Sequence, residues 1–487
     1  MAKCIMVQGT MSNVGKSLLA AGLCRVFAKD GYSVAPFKSQ NMALNSYITH
    51  DGKEMGRAQV LQAQAAGVAP DVRMNPVLLK PTGFMGSQVI VNGTAIGTLP
   101  AKEYYRMKHT LIPEVKKAYD SLAAEYDIIV IEGAGSPAEI NLQKDDFVNM
   151  GLAAMLDAPV LLVGDIDRGG VFAQLVGTYQ LLSDEDRARI RGLIINKFRG
   201  DVSILEPGLD MLKPYVPVPF LGVVPHMQLE LEEEDSQGRI LDEQQAAAEI
   251  DIVVIRLPYM SNYTDFDAFR HCLGVRVRFV TKPEQLDAAA MICLPGSKNT
   301  IADLDWLRQN GLAEKLTKLA ADGKLIFGIC GGFQMLGQAI SDPQGMENAD
   351  CPETTGLGLL AHATVLAHEK KLSQTTGTLG QIKGSLQALS GCHYEGYEIH
   401  LGLSLVAGEV PPVLLGDGTV YGTYLHGFFD HQEILKAVVH TLAKRCGFEY
   451  NEEILSQATF REQEFDKLEA LMRDSLDMAA IYRLLEL

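Results

Sequence analysis

Along residues 1–225 the chain alternates short apolar runs with amphipathic stretches. The runs predict strands at 4–8, 33–37, 127–131, 159–163 and 192–196, with another near 220–223. Ile128-Ile129-Val130-Ile131 and Pro159-Val160-Leu161-Leu162-Val163 are continuously apolar rather than alternating. Strands covered by helices on both faces have that pattern, so a parallel α/β sheet is expected. The pattern breaks between Pro225 and Glu249, where 229–235 is nearly all acidic and 244–249 is rich in Gln and Ala. It resumes at Ile252-Val253-Val254-Ile255, with strands at 276–280, 290–294 and 324–328 and β-rich segments to about 425. From Glu452 to Leu487 the periodicity is helical, and this tail is expected to dock on the body. At 487 residues the chain is too long for one core. The division expected is an α/β domain at 1–228, an acidic linker at 229–249, a second α/β domain at 250–445 and a helical tail at 446–487.

Composition narrows the class of partner. A formal net charge of −17 argues against nucleic acid or an anionic membrane as the main partner. No apolar run approaches the length that spans a bilayer, and the amino terminus opens on a strand rather than on a secretory apolar segment. The eight cysteines include no CxxC pair, so neither a zinc site nor a dithiol redox motif is suggested. Together these predict a reducing, cytoplasmic setting in which an isolated cysteine can act as a nucleophile.

Ligands of parallel sheets bind at the carboxyl ends of the strands, and the residues there look chemical. After the first strand comes Gly9-Thr10-Met11-Ser12-Asn13-Val14-Gly15-Lys16-Ser17, followed by a helix start at Leu18. Strand, glycine-bounded loop, Lys-Ser and helix together hold a nucleotide triphosphate. Backbone N–H groups wrap the phosphates, the lysine reaches the outer ones and the serine hydroxyl ligates Mg²⁺. Here five residues rather than four separate Gly9 from Gly15. Glu132, at the end of an apolar strand and before Gly133-Ala134-Gly135, is placed to hold Mg²⁺ or its water. Asn196 follows the strand at 192–195, where an amide can pair with an adenine edge. Asp165 and Asp167 either join the metal or substrate network or cap the next helix.

A second centre lies in the later half. Lys324-Leu325-Ile326-Phe327-Gly328-Ile329-Cys330-Gly331-Gly332-Phe333-Gln334 reads as a strand, a tight turn bearing a thiol, and a helix. This is the form of a nucleophile elbow, in which the Gly331 N–H can stabilise an oxyanion and the helix start favours thiolate. The base is expected to be a distant histidine. His426, in Tyr424-Leu425-His426-Gly427, closes a β-rich run and leads, with His400 the second candidate.

These motifs carry a resemblance. The loop 9–17 with Glu132-Gly133-Ala134-Gly135 resembles the dethiobiotin-synthetase-like branch of P-loop proteins, whose members phosphorylate a carboxylate or carbamate. The resemblance implies Mg²⁺ at Ser17 and Glu132, adenine at Asn196, and ATP along Gly9, Thr10, Ser12, Asn13, Val14, Gly15, Lys16 and Ser17. The Cys330 elbow and the late His426 are similar to class I glutamine amidotransferases, which release ammonia from glutamine. That family's flavodoxin-type domain is implied, and Leu294-Pro295-Gly296-Ser297-Lys298 stands at the spacing of its oxyanion loop, which puts Gly296 beside Gly331. The family's usual glutamate two residues after the histidine is Phe428 here. The third member of the triad is therefore absent, as in the cobyrinate-amidating subgroup, or supplied elsewhere, with Glu398 and Asp430 as candidates.

Across almost the whole chain the order and spacing resemble the cobyric acid synthases. That likeness covers the loop 9–17, Phe37-Lys38-Ser39-Gln40-Asn41-Met42-Ala43-Leu44-Asn45-Ser46, Asp165-Ile166-Asp167-Arg168-Gly169-Gly170, Cys330 and His426. It implies amidation of the b, d, e and g propionates of adenosylcobyrinic acid a,c-diamide, through acyl phosphates and ammonia from glutamine. It also implies ATP, Mg²⁺ and glutamine with no permanently bound cofactor, and a protected ammonia route from Cys330. Gln40, Asn41, Asn45 and Arg57 are the expected corrinoid contacts. Rival readings are the a,c-diamide synthase, an amidase of a cell-wall lipid intermediate, and a partitioning-type ATPase switch with a degenerate amidotransferase domain.

Overall fold

The computed structural model describes residues 2–81, 86–227, 229–231, 248–347 and 352–487. The chain forms two compact units. The first comprises Met1–Ala43, Glu54–Leu231 and Arg461–Leu487, and the second Leu44–Lys53 and Glu232–Phe460. Most of the acidic stretch expected as a linker, 232–247, lies outside the described residues. The expected tail divides at residue 460 between the two units.

The first unit is built on a six-stranded sheet in the order Phe220–Pro225, Ile190–Phe198, Val160–Asp165, Lys3–Gly9, Ile128–Glu132 and Val34–Phe37. All neighbours are parallel. Their continuously apolar runs are buried along their length, as expected of strands sandwiched between helix layers. The helix Lys16–Lys29 packs through Leu19, Ala20, Leu23 and Phe27 onto this sheet, and Phe465, Leu468 and Met472 of the tail helix Gln457–Ser475 join the same core. Arg25 on that first helix donates to Glu462 and Asp466, each at 2.7 Å.

A second sheet in this unit orders Gln40–Met42, Val77–Pro81, Gly86–Val91 and Thr94–Pro100. It occupies part of the segment that the hydrophobic pattern left without strands. Its signal was present in Asn92-Gly93, an Asn-Gly turn with both residues at positive φ (46° and 76°) between two β-forming runs.

The second unit has its own six-stranded sheet, ordered Val275–Val280, Ile250–Ile255, Met291–Leu294, Leu325–Ile329, Val420–Thr423 and Leu414–Gly416. Only the last strand is antiparallel to its neighbour. A five-stranded sheet adds the long pair Ala363–Thr378 and His393–Leu405 and ends on Leu425–His426. These are the two α/β domains and helical tail that the pattern predicts, with parallel strands forming the centre of each.

Candidate active site

In the first unit, Glu132 is the residue around which the polar groups gather. Parallel pairing sets it beside Val7, two residues before the loop begins. Its side chain is fully buried, with Oε1 accepting from Ser17 Oγ at 2.8 Å and from Lys38 Nζ at 2.8 Å. Oε2 accepts from Gln62 Nε2 at 2.6 Å and more distantly from Gln59 Nε2 at 3.5 Å. A hydroxyl and a carboxylate at hydrogen-bond distance, beside a phosphate-type loop, are hard oxygen donors of the kind Mg²⁺ takes, so these residues fit that ion. Among the described residues no cluster of three or more His, Cys, Asp or Glu offers another metal site.

The loop itself is held from beneath. Lys16 Nζ donates to Met11 O and Gly135 O, each at 3.1 Å, so its ammonium links the loop to the turn after Glu132. Asn13 and Gly15 take positive φ, and a Cβ on Gly15 would lie 2.2 Å from Asn196 Nδ2. Both the backbone conformation and the space therefore require glycine there. Asn196 donates that Nδ2 to Val14 O at 2.8 Å and so supports the loop. Thr10 Oγ1 donates to Gln174. Buried Asp165 pairs with Lys197 at 2.9 Å and accepts from Asp167 N; Lys197 also donates to Asn13 O. Asp165 thus secures the loop through Lys197 rather than capping a helix.

The Lys38–Glu132 pair is buried on both sides, with 6% and 0% side-chain exposure. Removing Lys38 takes a cation from a buried carboxylate, which then relies on neutral donors such as Ser17 and Gln62. Lys38→Met is expected to destabilise the first unit by about 3 kcal/mol, read as a fall in its urea midpoint. Adding Glu132→Gln should return most of that loss. A wild-type midpoint for Lys38→Met would show that the pair contributes nothing.

In the second unit Cys330 sits between Leu325–Ile329 and the helix Gly331–Leu336 at φ +53°, ψ −109°, a strained turn for a residue other than glycine. The two residues that follow it have no room for side chains. A Cβ on Gly331 would lie 2.8 Å from Ser297 N, and one on Gly332 2.1 Å from Leu294 O. The expected oxyanion strand Gly296–Ser297 therefore lies against the elbow. Ser297 Oγ donates to Asp303 Oδ2 at 2.5 Å, and Tyr259 N donates to the same carboxylate. Burial pushes Asp303 up to about 6 against these two donors. A Cβ on Gly296 would come within 3.4 Å of His426 Cε1, which brings histidine and oxyanion strand together.

His426 is fully buried, and its Nδ1 lies 2.7 Å from Asp265 Oδ2; Gly427 N donates to the other oxygen at 2.9 Å. A carboxylate only accepts, so Nδ1 carries the proton. Burial disfavours the imidazolium, but Asp265 and the neighbouring Cys330 outweigh it and raise His426 to about 10. A thiol, an imidazole and a carboxylate are thereby brought together from three separate stretches of chain, a set able to supply a nucleophile, a base and its orienting group.

Two family models match the chain: a CobQ/CobB/MinD/ParA nucleotide binding domain over residues 5–238 and a CobB/CobQ-like glutamine amidotransferase domain over 251–434. Similarity to curated proteins extends over the full length. A cobyric acid synthase of Ruminiclostridium cellulolyticum is 52% identical over 503 residues, covering 100% of this chain and 98% of that protein. One from Lachnoclostridium phytofermentans is 53% identical over 514 residues, covering 100% and 99%. One from Caldanaerobacter subterraneus is 47% identical, with the same coverage. The chain belongs to the cobyric acid synthase family. It is accordingly a glutamine-dependent amide-forming ligase with a nucleotide-binding domain and a glutamine amidotransferase domain. No helix among the described residues is long and apolar enough to cross a membrane.

Within this cobyric acid synthase family member the structure corrects several expectations. The place beside His426 is filled by Asp265, neither empty nor taken by Glu398 or Asp430. Glu398 pairs with Lys371 and faces His400 at 3.7 Å; burial opposes its ionisation, but His400 and Lys371 hold it below the usual carboxylate range. His400 stacks on Tyr424, with ring centroids 3.6 Å apart, and its Nδ1 meets Gly402 O. Asp265 lies in the short turn Tyr263–Phe266 with no motif around it, and only tertiary pairing reveals it.

The expected substrate residues separate. Gln40 and Asn41 lie on the strand Gln40–Met42, where Gln40 accepts from Tyr104 OH at 2.5 Å and buried Asn41 donates to Gln59 at 3.1 Å. Arg57 is buried at the start of the helix Arg57–Ala65. Asn45 leaves this group. It belongs to the second unit, is 1% exposed, and accepts from Asn262 N at 2.9 Å.

Asp265→Asn is expected to cut glutamate release at least about a hundredfold, the lower end of a general acid–base contribution, because the amide no longer orients and charges the imidazole. The carboxylate that holds His426 near 10 is also lost, so the alkaline limb of the glutaminase pH profile should move to lower pH. The raised pKa stabilises the fold fully below the ordinary histidine range and ceases to do so as pH rises through about 10. That contribution should vanish in the variant. An unmoved alkaline limb would exclude the role given to Asp265.

Proposed function

We propose that this protein converts adenosylcobyrinic acid a,c-diamide to adenosylcobyric acid, amidating the b, d, e and g propionates with ATP and glutamine. One observation carries the reading. The Ser17–Glu132 loop centre and the Cys330–His426–Asp265 constellation occur in one chain that matches cobyric acid synthases end to end.

A carboxylate is a poor electrophile with a poor leaving group. Transfer of the γ-phosphoryl group to a propionate oxygen gives an acyl phosphate, ammonia then attacks the carbonyl carbon, and phosphate departs. Lys16 and the backbone of residues 9–17 hold the phosphates, with Thr10, Ser12, Asn13 and Val14 shaping the cradle and Asn196 facing adenine. Ser17 and Glu132 would hold Mg²⁺, which offsets charge on the phosphates. Gln40 and Asn41 contact the corrinoid.

In the second unit the Cys330 thiolate attacks the side-chain amide carbon of glutamine, and the N–H groups of Gly296 and Gly331 stabilise the oxyanion. His426 donates a proton to the departing ammonia and then takes one from the water that releases glutamate. A cytoplasmic, reducing setting keeps the thiol available.

The deciding measurement is amidation resolved by mass. The protein is incubated with ATP, Mg²⁺, glutamine and either cobyrinic acid or its a,c-diamide, and added amides are counted. A gain of four on the a,c-diamide supports the reading, whereas a gain of two on cobyrinic acid would reassign the enzyme to the a,c-diamide synthases.

A further inference from the structure

The chain leaves the first unit after Ala43 and rejoins it at Glu54, and residues Leu44–Lys53 between are part of the second unit. Its central residues are buried, with Asn45 and Ser46 each 1% exposed and Ile48 0%, while His50 and Asp51 are exposed. Its contacts fall on the elements that carry the glutaminase residues.

Asn262 N donates to Asn45 Oδ1 at 2.9 Å, and Ser46 N donates to Asn262 Oδ1 at 3.1 Å. Asn262 holds a left-handed backbone, φ 51° and ψ 41°, which costs an asparagine less than most residues but needs fixing. It begins the turn that carries Asp265, whose N–H donates to Asn262 O at 3.2 Å. The preceding residue, Ser261, pairs with Gly296 of the oxyanion strand.

On its other side the segment meets Tyr397. The phenol donates to Ser46 O at 3.0 Å, and the same ring stacks on His426 with centroids 5.3 Å apart and planes 24° from parallel. Tyr47 packs edge-on against Tyr397, and Ile48 clusters with Tyr397 and Ile399. Ile399 O in turn lies 3.5 Å from Cys330 Sγ.

We propose that Asn45 and Ser46, acting through Asn262 and Tyr397, are positioning residues of the glutaminase centre, so that the second unit's catalytic geometry is incomplete without a strap contributed from residues 44–53. The strap holds the Asp265 turn at one end and the face of the His426 ring at the other. Neither residue touches glutamine. Their effect is on how well imidazole, carboxylate and oxyanion strand are aligned. This rests on the assignment of Cys330, His426 and Asp265 given above.

The test uses the full-length protein. Asn45→Ala removes the acceptor for Asn262 N, and Tyr397→Phe removes the bond to Ser46 while keeping the ring on His426. Glutamate release is measured across pH, alongside synthesis driven by ammonium salts with glutamine omitted. Each variant is expected to lose at least fivefold in kcat of glutamate release, with little change in KM and ammonium-driven synthesis at the wild-type rate. In Tyr397→Phe the alkaline limb should also shift, because the ring stacked on His426 is no longer pinned to Ser46.

Wild-type glutamate release in both variants would overturn the proposal. So would an equal fall in ammonium-driven synthesis, which would mark a general loss of fold. Absence of glutamate release from the unsubstituted protein would instead overturn the glutaminase assignment beneath it.

Discussion

Cys330→Ser is expected to abolish glutamine-dependent amidation and leave ammonium-dependent amidation at the wild-type rate. The elbow places Sγ at the end of a buried strand, in a turn with no room for a side chain at Gly331 or Gly332, and within the reach of His426. Serine fits the same turn, so the fold should survive. Its hydroxyl is a far weaker nucleophile than a thiolate, and a loss of at least about a thousandfold in glutamate release follows from removing a group the covalent step requires. Nothing in the first unit needs the thiol, so acyl phosphate formation should proceed and free ammonia should capture it. The rate with ammonium salts should rise with pH as more of the unprotonated amine is present. Loss of ammonium-driven synthesis in this variant would contradict the division of labour between the two units.

Lys16→Ala is expected to produce the complementary defect, with synthesis lost from either nitrogen source. The Lys16 ammonium already lies along the loop, bonded to Met11 O and Gly135 O, on the side of the turn that follows Glu132. In the proposed mechanism it would stabilise charge on the phosphoryl oxygens of a bound nucleotide. Fixed positive charge at that position commonly contributes about a thousandfold to phosphoryl transfer. The decisive measurement is mass-resolved amidation with ammonium salts and saturating ATP. Retention of more than a tenth of the wild-type rate would show that the loop is not the site of carboxylate activation. Asn196 and Lys197 still hold the loop at Val14 O and Asn13 O when Lys16 is truncated, so the variant should remain folded.

Much of this was legible in the chain itself. Parallel strands declare themselves when both faces are buried, because their apolar runs are continuous, and the first central sheet was placed that way. The phosphate loop and the cysteine elbow are also local objects. Each is a short turn whose glycines are required by positive φ or by close backbone approach, so their chemistry is written in consecutive residues. Full-length similarity to cobyric acid synthases agrees with both.

The remainder depends on pairings between residues far apart in sequence. Asp265 is 161 positions from the histidine it orients and sits in an unremarkable turn, so no spacing rule marks it. Asn196 looks like a strand-exit amide until Gly15 is seen resting on it. Asn45 lies in the polar stretch that suggested substrate binding, yet its side-chain Oδ1 accepts from Asn262 N, 217 residues away. Local sequence determined what each turn can do, because a turn's conformation depends on its own residues. Only the tertiary structure decided which distant side chains complete it, because a hydrogen bond or ring stack depends on where the rest of the chain has packed.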